Sequence, residues 1–369
     1  MVLLYLVSGC KERYMPELKE PNERLLVVEG IISLGPVRTQ IRLSRTVPVA
    51  EKGNRIPEVG AQVSIQSNTN EVFNLVHRTD GEYESAVLNL TTDKKYKLKI
   101  ITKGVEYATD FLEAKASPPI DDVSWEVKPN GLQLYVDTHD DSNQSKYYRW
   151  EFEDTWIFYA KYQSALIWDG NDLRLRDQAS ENIYKCWGNG LSNAIVLGSS
   201  VKLSQDVIHK QPLVLIPSTS EKLTERYSIN VKQYTLTKEA FDFWENLRKN
   251  TESLGSIFDA QPSQLTGNVI NLKNPKEPVL GYVSVGSVQQ KRIFVSKTQL
   301  PNWRVMELFE CFAPDTLTVA EKRLFSDLNY IPLGEVYSDS GALIGYTGTQ
   351  KKCGDCTFRG TNRRPAFWQ

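Results

Sequence analysis

The sequence predicts a mainly β protein. Its 369 residues include 17 Tyr, 13 Phe and 8 Trp but only 3 Met, and aromatic side chains pack well on pleated sheets. Val63 and Ile65 alternate with polar neighbours, which is typical of a half-buried strand. Helical patterns are few. With 40% hydrophobic residues, the chain can bury a substantial core.

Short strand-forming runs continue over residues 24–117. The first, residues 25–32, contains one glycine, which indicates a kink or a bulge. Short strands at close intervals over this length predict an immunoglobulin-like β-sandwich as the N-terminal domain. Because prolines donate no backbone hydrogen bond, the consecutive Pro118 and Pro119 mark its end.

A second, larger β-rich domain with a few short helices is expected over residues 120–310. Tyr148, Trp150 and Phe152 alternate with charged residues, which predicts a strand with one buried face and one solvated face. Apolar residues recur at helical spacing near residues 237–252, so this segment is predicted to be a helix.

The C-terminal segment, residues 311–369, contains three cysteines and is expected to pack on the second domain. Thr318 and Glu321 have the spacing of a capping box, which predicts the start of a further short helix.

Residues 1–10 resemble the end of a bacterial lipoprotein signal peptide. An apolar run closes on Val7-Ser8-Gly9, and Cys10 follows as the thiol that would carry lipid. Residues 11–23 would then be a polar tether. The run is short and no basic residue precedes it, so the alternative is a free cysteine near a buried N-terminus. With Cys10 acylated, a lipid anchor alone would hold a folded extracytoplasmic protein on a membrane.

Charge argues against nucleic acid as a partner. The 44 basic residues nearly balance the 45 acidic ones, which gives a net charge of −1. A chain of this kind has no general attraction to a phosphate backbone.

With Cys10 lipidated, four cysteines remain: Cys186, Cys311, Cys353 and Cys356. An even number in an oxidising compartment favours structural disulfides, and three pairings are open. Thiol redox chemistry at Cys353 and Cys356 is the alternative.

No catalytic or cofactor-binding motif is evident, so the sequence predicts a non-enzymatic protein without a cofactor. Asp137, Asp140 and Asp141 provide clustered oxygen ligands of the kind that calcium prefers. Their spacing does not match a calcium-binding helix-loop-helix. A solvated turn is therefore the favoured interpretation, and calcium the alternative.

An aromatic stretch begins at Tyr147, and its later members are the ligand-binding candidates. Trp156, Tyr159, Tyr162 and Trp168 follow the point at which the alternating pattern fails. Exposed rings of this kind can stack on a glycan or hold a peptide. The alternative for each ring is burial in the core.

Several segments resemble those of the family of surface lipoproteins known as domain of unknown function 4249. They are LVVEGI (26–31), RYSINVKQY (226–234), FDAQPSQLTGN (258–268), NPKEPVLGY (274–282), KRIF (291–294), CGDC (353–356), GTN (360–362) and PAFW (365–368). The resemblance implies a lipoprotein of the outer membrane of Gram-negative bacteria, encoded beside TonB-dependent transporters. It implies no catalytic residues.

The leading hypothesis is therefore a lipid-anchored outer-membrane accessory or binding protein that works beside a TonB-dependent nutrient transporter. A first alternative is a secreted carbohydrate-active hydrolase that uses carboxylates such as Asp154 or Asp169. A second is a structural or adhesion protein of the cell envelope, which is favoured if no concave aromatic pocket exists.

Overall fold

The computed structural model describes residues 24–47, 55–252, 267–306, 308–327 and 329–368. Strands make up 51% of these residues and helices 11%, which confirms a mainly β fold. Cys10, the tether 11–23 and positions 258–266 lie outside the described residues.

The first sheet has eleven strands within the part of the chain that the structure describes. With strands numbered in chain order, they are β1 (Leu26–Ser33), β2 (Gly35–Arg45), β3 (Ile56–Pro57), β4 (Gln62–Ser67), β5 (Val72–His77), β6 (Glu82–Leu90), β7 (Lys95–Thr102), β8 (Val105–Thr109), β9 (Leu112–Lys115), β19 (Val269–Asn271) and β20 (Ser284–Gly286).

Eight of these strands close into a barrel-like sheet. Their order is β7-β4-β5-β6-β2-β1-β20-β9, and β9 then pairs with β7 again. The short strand β20 comes from far along the chain and pairs in parallel with both β1 and β9. Alternate residues such as Val63 and Ile65 point into the shared core, where they are fully or almost fully buried.

The immunoglobulin-like sandwich predicted over residues 24–117 is not confirmed. Because β9 contacts β7 on one side and β20 on the other, these strands form one closed sheet instead of two facing sheets. Two strands of the sheet, β19 and β20, come from positions 269–286, within the range predicted for the second domain.

Two facing sheets form the next part of the fold. The three-stranded sheet has the order β10-β11-β17, and the five-stranded sheet has the order β15-β12-β18-β21 with β16 also paired to β12. Their bounds are β10 (Ile120–Lys128), β11 (Gly131–His139), β12 (Tyr147–Tyr159), β15 (Lys185–Leu191), β16 (Val196–Ser199), β17 (Val207–Pro217), β18 (Arg226–Thr235) and β21 (Val288–Ser296).

The core between these two sheets is aromatic on one side. Tyr148 and Trp150 of β12 are fully buried and Phe152 is nearly so, which confirms the face predicted from their alternation. Leu134 and Val136 of β11 belong to the same cluster on the opposite sheet. The burial of large aromatic side chains is a major source of stability for such a core.

The predicted helix is present as α1 (Lys238–Glu252). Its first turn is capped by Thr237, whose hydroxyl accepts the Ala240 N–H at 3.3 Å. Ala240 packs with Leu236 against β16 and β18. Within the described residues, no helix has both the length and the apolar character needed to span a membrane.

Two smaller sheets and the C-terminal segment complete the described structure. Their elements are β13 (Leu166–Trp168), β14 (Leu173–Leu175), β22 (Asp315–Thr318), β23 (Tyr330–Tyr337), β24 (Leu343–Gln350) and α2 (Lys351–Gly354). The capping box predicted at Thr318 opens a 3₁₀ helix, Val319–Ser326, and the Glu321 carboxylate accepts the Thr318 N–H at 2.9 Å.

Candidate functional site

Two disulfides fix the end of the fold that carries most of the aromatic candidates. Cys186 of β15 is bonded to Cys356, and Cys311 is bonded to Cys353. Structural disulfides are thus confirmed, and their pairing, which the sequence left open, is established. Since Cys353 and Cys356 are three positions apart, the two bonds tie one turn of the C-terminal segment to β15 and to the start of the same segment.

A cleft of about 340 Å³ opens beside these bonds. We call it the disulfide cleft. Its walls come from the end of β12, from residues 305–306 and 308–311 and from residues 352–359. They include Phe158, Tyr159, Glu221, Leu308, Phe309 and Arg359.

Trp156 supports this cleft from within the fold. Its indole N–H lies 3.4 Å from Glu221 Oε1, and Lys222 Nζ lies 4.7 Å from the ring centroid. A Cβ at Gly188 would come within 2.5 Å of the indole. Only glycine at position 188 therefore lets the Trp156 ring lie across β15. Most of the surface of the ring is used for this packing.

Tyr159 stands at the mouth of the disulfide cleft and is 37% exposed. Its hydroxyl donates a hydrogen bond to Glu225, which also receives Lys185 Nζ at 3.0 Å. Burial of the phenol, and then the negative charge of Glu225, raise the pKa of Tyr159. The phenol is therefore neutral at physiological pH and offers an apolar ring face with a fixed hydroxyl.

Tyr162 connects Phe312 to Cys353. Its hydroxyl donates to the Phe312 carbonyl at 3.0 Å, and its backbone N–H donates to the Cys353 carbonyl at 3.1 Å. Trp168 lies elsewhere, in β13, where it packs on Leu166, Phe325 and Tyr346. The structure thus brings together three of the four aromatic candidates.

Arg359 and Glu221 provide the charged part of the cleft. Arg359 Nη1 lies 2.7 Å from both Glu221 oxygens. The guanidinium carbon also lies 4.2 Å from the Phe158 ring centroid and 5.5 Å from that of Phe309. This stacking fits a planar cation held between two aromatic rings.

Large exposed apolar side chains lie at and beside the cleft, and we call them the apolar rim. Met306 and Leu308 line the cleft, Phe312 follows the lining residue Cys311, and the Phe358 ring centroid lies 6.2 Å from that of Phe309. Met306, Leu308, Phe312 and Phe358 are 68%, 61%, 70% and 56% exposed. Clusters of this kind on a protein surface commonly mark interaction sites. Sequence reasoning missed Met306 and Leu308, because the run at 305–312 fits neither a strand nor a helix period clearly.

The carboxylates considered for hydrolysis are engaged elsewhere. Asp154 is buried and forms an ion pair with Lys222. Asp169 accepts the backbone N–H groups of Asn171 and Asp172, both at 2.9 Å, and these bonds lower its pKa. A general acid for glycoside cleavage needs a raised pKa. The lowered pKa of Asp169 does not meet that need.

The loop considered for calcium is a turn built around Asp140. Burial alone would raise the pKa of its carboxyl, but hydrogen bonds from Ser142, Gln144 and Ser145 lower it to about 2. Asp137 Oδ1 instead lies 2.6 Å from His209 Nδ1, and Asp141 is almost fully exposed. In the described part of the chain, no three His, Cys, Asp or Glu side chains are grouped to hold a metal ion.

These features define a mainly β protein with a barrel-like sheet, a pair of facing sheets and a disulfide-bonded end that carries an apolar cleft. The family model described as Domain of unknown function (DUF4249) matches residues 11–292. The chain therefore belongs to that family, as the resemblance predicted. No curated protein sequence matches it.

Proposed function

We propose that this protein is a non-enzymatic accessory lipoprotein of the outer membrane, anchored through Cys10, that binds a TonB-dependent nutrient transporter through the apolar rim. The observation that carries the binding role is the rim itself. Four large apolar side chains are more than half exposed. Met306 and Leu308 line the cleft, Phe312 follows the lining residue Cys311, and the Phe358 ring lies beside Phe309 of its wall. Exposing so much apolar surface is unfavourable unless a partner covers it.

The way the rim is held favours a binding surface. The Cys311–Cys353 bond and the Tyr162 hydrogen bond to the Phe312 carbonyl both restrain the segment on which Leu308 and Phe312 stand. A surface held in its binding conformation loses less entropy when it associates. A glycan or a peptide carried by the transporter would be small enough to reach the cleft inside the rim.

The choice of a transporter as partner is supported by two features of the sequence. The signal-like residues before Cys10 would place the folded part at the membrane surface. The family resemblance adds the expectation of a neighbouring TonB-dependent transporter. With the protein tethered to the same membrane, even a weak contact would be occupied, because the local concentration of the two proteins is high.

The test is co-purification from detergent-solubilised membranes after mild crosslinking. The wild-type chain is expected to recover a transporter, and Leu308→Ser together with Phe312→Ser is expected to reduce that recovery about tenfold or more. The matched control is Leu191→Ser, because Leu191 is 75% exposed on β15 and lies outside the rim. Radiolabelled palmitate tests the anchor separately, with Cys10→Ser as the unlabelled control.

Two results would contradict the proposal. Equal transporter recovery by the rim variant and the Leu191→Ser control would show that the rim is not the contact surface. Absence of palmitate from the wild-type chain would remove the anchor, whatever the rim variants do.

A further inference from the structure

A second cavity lies away from the disulfide cleft, between α1 and the barrel-like sheet. Its volume is about 450 Å³, which lies in the range of pockets that hold small organic molecules. One wall is β1 with the turn at Gly281 and Tyr282, and the other is α1. We call it the α1 cavity. Residues of β12 and β18 also contribute, so its walls come from parts of the fold that are far apart in sequence.

The walls of the α1 cavity are largely apolar and include a group of aromatic side chains. Phe243, Trp244 and Leu247 line it from α1, and Ile31 and Tyr282 line it from the other side. The Phe243 ring centroid is 5.6 Å from that of Trp244 and 5.2 Å from that of Tyr282. Because these rings contact one another, the aromatic wall is formed before any ligand binds.

Polar groups converge at one end of the cavity. Arg149 Nη1 lies 2.7 Å from Glu151 Oε1, and the Tyr234 hydroxyl donates to Glu151 Oε2 at 2.9 Å. The Arg149 guanidinium carbon is 4.0 Å from the Trp244 ring centroid and 4.8 Å from that of Tyr234. The cation is therefore covered by two rings and already paired with a carboxylate.

A ligand in the cavity would meet the carboxylate more readily than the guanidinium. The Glu151 side chain is 39% exposed, against 15% for Arg149. Glu29 also lines the cavity, so the lining contains two carboxylates and one guanidinium. An anionic head would be repelled there, whereas a hydrogen-bond donor or a cation would be attracted.

We propose that the α1 cavity is a small-molecule site for compounds with an aromatic or otherwise bulky apolar body and a cationic or hydrogen-bond-donating head. The apolar body would pack against Trp244, Phe243 and Tyr282, and the head would bond to Glu151. This site is separate from the apolar rim. A ligand there would be bound independently of any partner at the disulfide cleft.

A pair of fluorescent probes tests both the cavity and its charge preference. N-phenyl-1-naphthylamine has an aromatic body and one N–H donor, and 8-anilinonaphthalene-1-sulfonate has the same ring system with an added anionic group. The full chain carrying Cys10→Ser is used, so that no acyl chain competes for the probes. The neutral amine is expected to bind about tenfold or more tightly than the sulfonate.

Two substitutions on α1 form a matched pair. Leu247→Trp places a larger side chain in the cavity, whereas Asn246→Trp adds the same side chain at an exposed position of the same helix. The first is expected to weaken amine binding about tenfold or more, and the second to leave it unchanged. Glu151→Gln is expected to reduce the preference for the amine over the sulfonate.

Three outcomes would overturn the proposal. They are no binding of the amine to the wild-type chain, equal amine binding by the two tryptophan variants, and equal binding of the two probes. Melting temperature and near-ultraviolet circular dichroism check that each variant is folded. If Leu247→Trp does not fold, the probe preference and the Glu151→Gln result still decide the proposal.

Discussion

Arg359 is joined to Glu221 by an ion pair in which one guanidinium nitrogen lies 2.7 Å from each carboxylate oxygen. The two residues are far apart in sequence, and their side chains are 19% and 17% exposed. The pair links the C-terminal segment to the 3₁₀ turn Glu221–Leu223 that precedes β18. It also closes one side of the disulfide cleft.

Breaking this pair is expected to destabilise the fold more than breaking a surface pair. Glu221→Gln should lower the free energy of unfolding by about 1–3 kcal/mol, because Arg359 would keep a largely buried charge without its partner. Glu181→Gln is the control, since Glu181 forms a more exposed pair with Arg174, and its effect should be smaller. Urea unfolding measures both. Equal effects would show that the Glu221 pair behaves as a surface pair.

The two disulfides are expected to contribute differently to stability and to binding. The Cys186–Cys356 bond closes a separation of 170 residues, and the Cys311–Cys353 bond closes one of 42. Each bond should contribute about 2–5 kcal/mol to the free energy of unfolding, and the bond that closes the longer loop should contribute more. Replacing both members of each pair with alanine and measuring urea unfolding tests this order. A larger loss from the shorter loop would contradict it.

The same substitutions separate folding from binding. Without the Cys311–Cys353 bond, the segment that carries Leu308 is less restrained. We expect the variant without this bond to fold but to recover less transporter, because its binding surface would have to become ordered when the two proteins associate. Recovery equal to that of the wild-type chain, with folding confirmed by circular dichroism, would show that restraint by this bond is not needed.

The sequence predicted the parts of the fold that depend on local patterns. The burial of Tyr148 and Trp150 follows from alternation along one strand, and α1 follows from helical spacing after a capping threonine. Closure of the first sheet depends on β20, a three-residue strand that pairs with β1 and β9. Nothing in three residues specifies partners so distant in sequence, so the closed sheet could not be predicted.

For the candidate site, too, local patterns predicted single residues but not how distant parts of the chain come together. Tyr159 and Tyr162 were predicted as ligand-binding candidates because they follow the end of a regular alternation. Tyr159 lines the disulfide cleft, and Tyr162 bonds to Phe312 near it. Trp168 met the same criterion but packs in a separate cluster. The cleft itself depends on which cysteines pair. Four cysteines allow three pairings, and spacing alone does not choose among them.

Glu58 is expected to make stability depend on pH in the acidic range. Its carboxyl is almost fully buried and accepts Arg45 Nε and Thr102 Oγ1, each at 2.6 Å, and Lys103 Nζ at 3.1 Å. Burial alone would raise its pKa, but these hydrogen bonds lower the pKa from 4.5 to about 2. The ionised form is thus favoured in the folded state.

The sign of the effect follows from the lowered pKa. The contribution of Glu58 is fully present above pH about 4.5 and is lost as pH falls towards about 2, because the unfolded chain then binds the proton more readily. Glu58→Gln should lower stability at neutral pH and flatten its dependence on pH between these values. Urea midpoints measured from pH 7 to pH 2 test this, and an unchanged slope in the variant would contradict it.

Substitution of Gln233 is expected to lower the free energy of unfolding more than substitution of most other buried polar residues, because its side chain joins three parts of the fold. Its side-chain oxygen accepts the Trp150 indole N–H at 2.8 Å, and its amide nitrogen donates to the Pro118 carbonyl at 2.8 Å and to Thr138 Oγ1 at 3.0 Å. Gln233 and Trp150 are both fully buried. Water therefore has no access to replace the bonds to Trp150 and Thr138, which are both buried.

Gln233→Leu should lower the free energy of unfolding by about 3–5 kcal/mol, because it leaves the buried Trp150 N–H without a partner and removes the hydrogen bonds to Thr138 and Pro118. Gln289→Leu is the control, since Gln289 donates one hydrogen bond, to the Ser117 carbonyl at 3.2 Å, and should cost about 1 kcal/mol. In a Trp150→Phe background the cost of Gln233→Leu should fall, because the indole donor is already absent. The same cost in both backgrounds would show that the hydrogen bond between these residues contributes nothing to stability.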